Sequence, residues 1–343
     1  MMRLRAVFLT GAALALYDSA ALDLDDSTAP VVLLQTGRRF ITAPLAPKLH
    51  FLSMGRSGSC FWGQLFGKDA GRPYIFEPFN VGQVMWSSPA MQFSVRDGWN
   101  FETSAVEQAE LERRLRCIYT CQGCESLLSA EGIKTMDHVC DRPATTDMTI
   151  VKTVAMNNAT SLTTMLPHGS LRGSKFVLLL RDPRSTGRDN ACQRMLSLSL
   201  SIKQLATVVG KDNVRTIFME EWTSNVSESV SDVATWAGIP ASEVMLQNAR
   251  ATQKANNSAE VASWISEGVS AISLGEEAWC KEFFELVGYP AYSPSAMSSD
   301  PFSVDYSHLT DPSQTPMTPT QELLLERLWR DGSAFSFAQG GKR

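Results

Sequence analysis

The sequence predicts an α/β fold, three layers α/β/α around a central parallel sheet, and three observations lead there. Short runs that are apolar almost throughout, "LHFLSM", "MTIVKTV", "SKFVLLL" and "VRTIFM", read as strands buried on both faces. Stretches of helical periodicity separate them, and strands that alternate with helices build a parallel sheet covered on both sides. The chain has 343 residues, 44% hydrophobic and 20% charged, enough for one large domain with a sizeable core.

The elements follow in order. Residues 1–21 begin with the basic "MMRLR", continue with the apolar "AVFLTGAALAL" and reach the small residues Ser19, Ala20 and Ala21. That is the order of a signal peptide, and the run is shorter than the roughly 20 residues of a membrane span. A cleaved signal is therefore expected, with a short type II anchor and membrane attachment through the N-terminus as the alternative. Residues 22–47 read as a linker and 48–290 as the domain.

Within the domain, "LHFLSM" is the first strand, and a helix is expected from about Ser59 to Phe66. "AVEQAELERRLRCIYTC" has helical spacing and strong helix formers. Helix is also expected from Ser185 to Val209, over "SESVSDVATWAGIP" up to Gly238 and Pro240, and from Glu276 to Leu286 before Gly288. A Pro/Ser-rich segment, 291–317, leads to a terminal helix and tail, 318–343. There Thr318, Pro319 and Gln321 form an N-cap, a first-turn proline and a capping-box partner.

The formal charge of -5 argues against a nucleic-acid partner, which goes with a basic excess. Any anion site must be local. Seven cysteines are present, and Cys117, Cys121, Cys124 and Cys140 cluster. With His138 nearby, the spacing admits a zinc reading, but the paired C-x2-C modules of ribbon-type sites are missing. Disulfides in an oxidising compartment are the better reading, and the odd count leaves at least one cysteine unpaired or intermolecular. Three sequons, at Asn158, Asn225 and Asn256, agree with the secretory pathway, either the Golgi lumen or secretion.

Two loops carry the chemistry. In "HFLSMGRSGSCFWGQLFG" an arginine, a glycine and two serines sit between a strand and a helix. Small residues let backbone N–H groups approach a phosphate or sulfate at a helix start. An ordinary strand–helix loop capped by Ser59 fits the same residues. In "KFVLLLRDPRSTGRDNACQRM", Arg181 follows a core strand, and Arg184, Arg188 and Arg194 come after it. Guanidinium groups match phosphate geometry, although a solvated basic helix face with an Arg181–Asp182 pair is the other reading.

Together, RSGSCF after the first strand and LLLRDPR after a later one resemble the carbohydrate sulfotransferases, closest to the branch that sulfates the 6-hydroxyl of N-acetylglucosamine or galactose. "YIFEPFN", "IVKTVAM", "FMEEW", "WAGIP", "NNSAEVASW" and "CKEFFELVGY" extend the resemblance over about Leu49 to Tyr289. It implies a P-loop-like sulfotransferase fold, 3'-phosphoadenosine 5'-phosphosulfate as co-substrate without a metal, and a glycan or glycoprotein acceptor. Arg56, Ser57, Gly58, Ser59, Cys60 and Phe61 would hold the 5'-phosphosulfate, and Arg181 with the Asp189 position the 3'-phosphate. Two residues depart from the pattern. Cys60 stands where the family has Ser or Thr, and Asp189 where it has a serine that donates to the 3'-phosphate.

Sulfuryl transfer needs an aligned nucleophile, a base and charge stabilisation at the transferring group. Arg56 takes the position of the family's Lys or Arg aimed at that group. Glu77, among apolar residues in "FEPF", suits the base, its other reading being a carboxylate that caps the turn at Pro78. Lys152 either helps to hold the sulfonate or snorkels at a strand end. A P-loop kinase is disfavoured because the Gly-Lys-Ser/Thr ending is missing. The remaining alternatives are a glycan-binding protein that has lost catalysis and a tyrosylprotein sulfotransferase.

Overall fold

The computed structural model describes residues 47–54, 57–69, 71–76, 78, 84–88, 91–95, 105–124, 140, 148–153, 159, 161–167, 169–183, 186, 191–255, 277–289 and 308–332. All belong to the compact unit Leu45–Arg343. The expected leader, most of the expected linker, the sequon asparagines Asn158 and Asn256, and Arg56, Glu77, Arg184, Arg188 and Asp189 lie outside the described residues.

The strands are β1 (Lys48–Ser53), β2 (Tyr74–Phe76), β3 (Val84–Ser88), β4 (Met91–Val95), β5 (Thr149–Thr153), β6 (Lys175–Leu180) and β7 (Val214–Phe218). They form one sheet in the order β4-β3-β2-β5-β1-β6-β7. The five strands β2, β5, β1, β6 and β7 run parallel, and β3 and β4 add an antiparallel extension beside β2. The predicted α/β/α arrangement is therefore the observed one.

Successive strand residues point to opposite faces, and the sheet accordingly separates two apolar cores. Leu49, Phe51, Val177 and Leu179 pack with Trp62, Phe66, Trp222 and Val230. Leu52, Leu178 and Leu180 pack with Leu115, Ile118, Leu196 and Phe283 on the other side. Each such buried side chain contributes about 1.5–3 kcal/mol, which is why these runs must be apolar on both faces. His50, like Lys48 and Ser53, is a buried polar residue within β1. It is fully buried, its Nδ1 lies 2.6 Å from the Tyr119 hydroxyl, and burial pushes it down to about 3. It is a neutral core histidine.

The helices are α1 (Ser59–Gln64), α2 (Ala105–Thr120), α3 (Ser161–Thr164), α4 (Ala191–Val209), α5 (Met219–Ser224), α6 (Val226–Ala237), α7 (Glu243–Ala255), α8 (Glu277–Val287) and α9 (Pro319–Gly332). Helix α1 runs on as a π turn over Leu65–Asp69. The start of α9 fulfils its capping box, since Gln321 N–H donates to Thr318 Oγ1 and Thr318 N–H to Gln321 Oε1, both at 3.2 Å.

Helix α4 starts at Ala191 rather than at the expected Ser185. Pro183 disfavours helical backbone at Asp182. The Thr186 N–H and hydroxyl both return to the Pro183 carbonyl, at 3.1 and 2.8 Å, which makes a turn there. The open edge of β7 is covered by the segment before α9. Asp311 accepts from the Thr216 N–H at 2.9 Å, so an edge donor that would invite another strand is occupied.

The cysteines resolve as disulfides Cys117–Cys124, Cys121–Cys140 and Cys192–Cys280, with Cys60 the free thiol. The clustered four are thus bonded to one another rather than held as metal ligands.

Candidate active site

In an open parallel sheet, ligands bind beyond the carboxyl ends of neighbouring strands whose connections leave in opposite directions. Here that point lies between β1 and β6. The chain leaves β1 toward β2 on one side, and leaves β6 toward β7 on the other. The register pairs Ser53 of β1 with Leu179 of β6. The loop after β1 and the loop that begins at Arg181 therefore start side by side, although more than a hundred residues separate them in sequence.

The first loop is built for close backbone approach. Gly58 has φ +75°, and a Cβ there would lie 2.8 Å from the Trp222 ring. Only glycine fits both demands. Gly58 is also the cap residue of α1 and no side chain caps that end, so Ser59 is the first helical residue and not the N-cap. Trp222 stacks on Phe61 at 5.0 Å between ring centroids and meets Trp62 edge-on at 5.7 Å, giving the loop a rigid aromatic floor. Ser57 is fully buried, and its hydroxyl has no hydrogen-bond partner. An unsatisfied buried hydroxyl costs about 1–3 kcal/mol, and a bound anion would satisfy it.

Cys60 follows on the exposed side of α1, and Lys152 Nζ donates to its Sγ at 3.5 Å. Lys152 is 1% exposed and reaches the first loop from β5. It does not snorkel to solvent. Its register partner in β2 is Phe76, the residue before Glu77. Glu77 is the next residue after this strand in sequence, and Arg114 Nη1 of α2 donates to the Pro78 carbonyl at 2.9 Å.

In the second loop Arg181 and Asp182 are buried. The Asp182 N–H donates to Glu220 Oε1 at 2.7 Å, and the Tyr289 hydroxyl donates to Glu220 Oε2 at 2.8 Å. Burial first, and the Asp182 charge second, push the Glu220 carboxyl up to about 7, against the lowering effect of these hydrogen bonds.

Of the residues expected at the site, the fold brings Ser57, Gly58, Ser59, Cys60 and Phe61 to the same sheet end as Arg181. Trp222 and Glu220 were not singled out by sequence. "FMEEW" carries the signal, because Glu220 follows a strand end as Arg181 does. Among the described residues no group of three or more His, Cys, Asp or Glu is disposed to hold a metal.

The chain matches no family model and no curated protein sequence. Among solved structures it is similar to the sulfotransferase domain of the Synechococcus PCC 7002 olefin synthase, at 14% identity and TM-score 0.40 over 84% of this chain and 96% of that one. It is similar to the sulfotransferase domain of the curacin biosynthetic pathway, at 11% identity and TM-score 0.37 over 73% and 95%. Mouse sulfotransferase SULT7A1, complexed with PAP, gives 11% identity and TM-score 0.31 over 84% of each chain.

Proposed function

We propose that the protein is a sulfotransferase that moves the sulfuryl group of 3'-phosphoadenosine 5'-phosphosulfate to a hydroxyl of a glycan. The observation that carries this reading is the meeting of two anion-suited loops at the neighbouring carboxyl ends of β1 and β6. A donor with an anionic group at each end of its nucleotide needs two such loops. Ser57, with its unsatisfied hydroxyl, and the Gly58 backbone would take the 5' end, and Arg181 the 3'-phosphate.

The step needs little covalent chemistry from the protein. The acceptor oxygen bonds to sulfur, the bond from sulfur to the phosphate oxygen breaks, and the hydroxyl proton passes to Glu77. Arg56 meets the charge that develops at the transferring group. Lys152, directed at the Cys60 thiol, adds a second positive charge at the loop. Cys60 is a weaker donor than the family's hydroxyl, which lowers donor affinity without removing the cradle.

The signal-like leader, the sequons and the three disulfides support a protein of the secretory pathway, in the Golgi lumen or secreted, acting on a glycan or glycoprotein. Transfer of labelled sulfate from the donor to a panel of glycans and tyrosine peptides tests the reading. Label in a glycan is the expected result. Label only in tyrosine peptides would replace the acceptor class. Donor binding without transfer to any acceptor would point to a glycan-binding scaffold.

A further inference from the structure

We propose that Glu220 and Tyr289 form a latch that sets the position of the loop carrying Arg181, and with it the affinity for the donor's 3'-phosphate. This rests on the sulfotransferase reading above and adds two positioning residues to it.

The register explains why these groups meet. Leu180, the last residue of β6, pairs with Phe218, the last residue of β7. Asp182 and Glu220 each lie two residues beyond that pair, so the two chain exits run side by side. Glu220 is the second residue of the short helix α5 there, and its two carboxylate oxygens are both used as acceptors. One takes the backbone N–H of the residue next to Arg181, at 2.7 Å, and the other takes the Tyr289 hydroxyl at 2.8 Å. A backbone hydrogen bond one residue from a guanidinium fixes where that side chain departs from the chain.

Tyr289 is itself held. Its ring lies 5.9 Å from Phe218, 5.7 Å from Phe283 and 6.1 Å from Phe284, between centroids. It follows α8, and α8 carries Cys280, whose disulfide partner Cys192 lies in the first turn of α4, just after the second loop. The chain is thus secured on either side of the loop, at its entry through Glu220 to Tyr289 just beyond α8 and at its exit through the disulfide to α8 itself.

Such a carboxyl is costly to bury. Its folded value of about 7 stands above the ordinary carboxylate value of 4.5, so it removes stability as pH rises through that interval. Asp182 and Tyr289 are the titratable groups that face it. Groups kept against the interest of stability concentrate at functional sites.

The test is calorimetry on the full chain with two probes, 3'-phosphoadenosine 5'-phosphate and adenosine 5'-phosphate, joined by hydrogen exchange at the Asp182 amide. Glu220→Ala should weaken binding of the first probe by about tenfold to a hundredfold, the scale of a lost hydrogen bond to a charged group, and leave the second almost unchanged. Glu220→Gln should restore part of the loss, because its amide oxygen still accepts from Asp182. Tyr289→Phe should fall between, and it serves if Glu220→Ala does not fold. Equal losses for both probes, or no loss for the first, would overturn the latch. Wild-type protein that binds neither probe would instead sink the sulfotransferase reading. The latch then stands or falls on exchange alone, with an Asp182 amide equally protected in wild type and Glu220→Ala counting against it.

Discussion

Glu77 and Arg56 should separate in kinetics because one acts on the acceptor and the other on the donor. Replacing Glu77 by Gln keeps the shape and removes the basicity. Turnover should fall by about 10²–10⁴-fold while donor binding stays nearly intact. Arg56→Ala should damage both, since its charge meets the donor before and during transfer. Donor calorimetry beside sulfate transfer for each variant checks this, and normal turnover in Glu77→Gln would remove the base assignment. Residues of the first loop were legible because small size and position after a strand are local properties. Gly58 is required by its own φ of +75° and by Trp222 pressed against it. Glu220 was not legible. A glutamate after a strand reads as a surface carboxylate, and the hydroxyl that donates to it belongs to Tyr289, 69 residues further on.

At the scale of elements, the disulfides should differ in worth by the loops they close. Cys192–Cys280 spans 88 residues and Cys117–Cys124 only 7. The chain-entropy account gives about 4–5 kcal/mol for the first and about 2 kcal/mol for the second. Paired Cys→Ser variants followed through denaturant unfolding test the ranking, and a larger loss from the short loop would contradict it. Strands β1, β5, β6 and β7 were legible because burial on both faces forces unbroken apolar runs. The three-residue β2 and the antiparallel pair β3–β4 are too short or too mixed to show such a pattern. Helix α7 was missed for a related reason. Among its described residues only Met245 and Ala249 are fully buried, Leu246 packs partly buried beside them and Val244 is exposed, so its apolar stripe is thin. The early start expected for α4 is not met at Thr186, which returns to the Pro183 carbonyl in a turn that helical spacing alone does not reveal.

For the whole molecule, sheet order turns two separate loops into one site. The chain is acidic overall, yet it gathers Lys152 and Arg181 at one end of its sheet, where a doubly anionic nucleotide would be met. The α/β class was readable from the alternation of strands and helices. The neighbouring positions of β1 and β6 were not, because strand order depends on which crossovers pack best and no local pattern records it. The central claim is that these two loops bind one donor through both of its anionic groups. Calorimetric titration of the full chain with 3'-phosphoadenosine 5'-phosphate and with adenosine 5'-phosphate tests it most directly, in wild type and Arg181→Ala. Saturable binding that needs the 3'-phosphate, and that Arg181→Ala weakens by about 1.5–3 kcal/mol, is the predicted result. Wild-type protein that binds neither nucleotide, or binds both equally well, would contradict it.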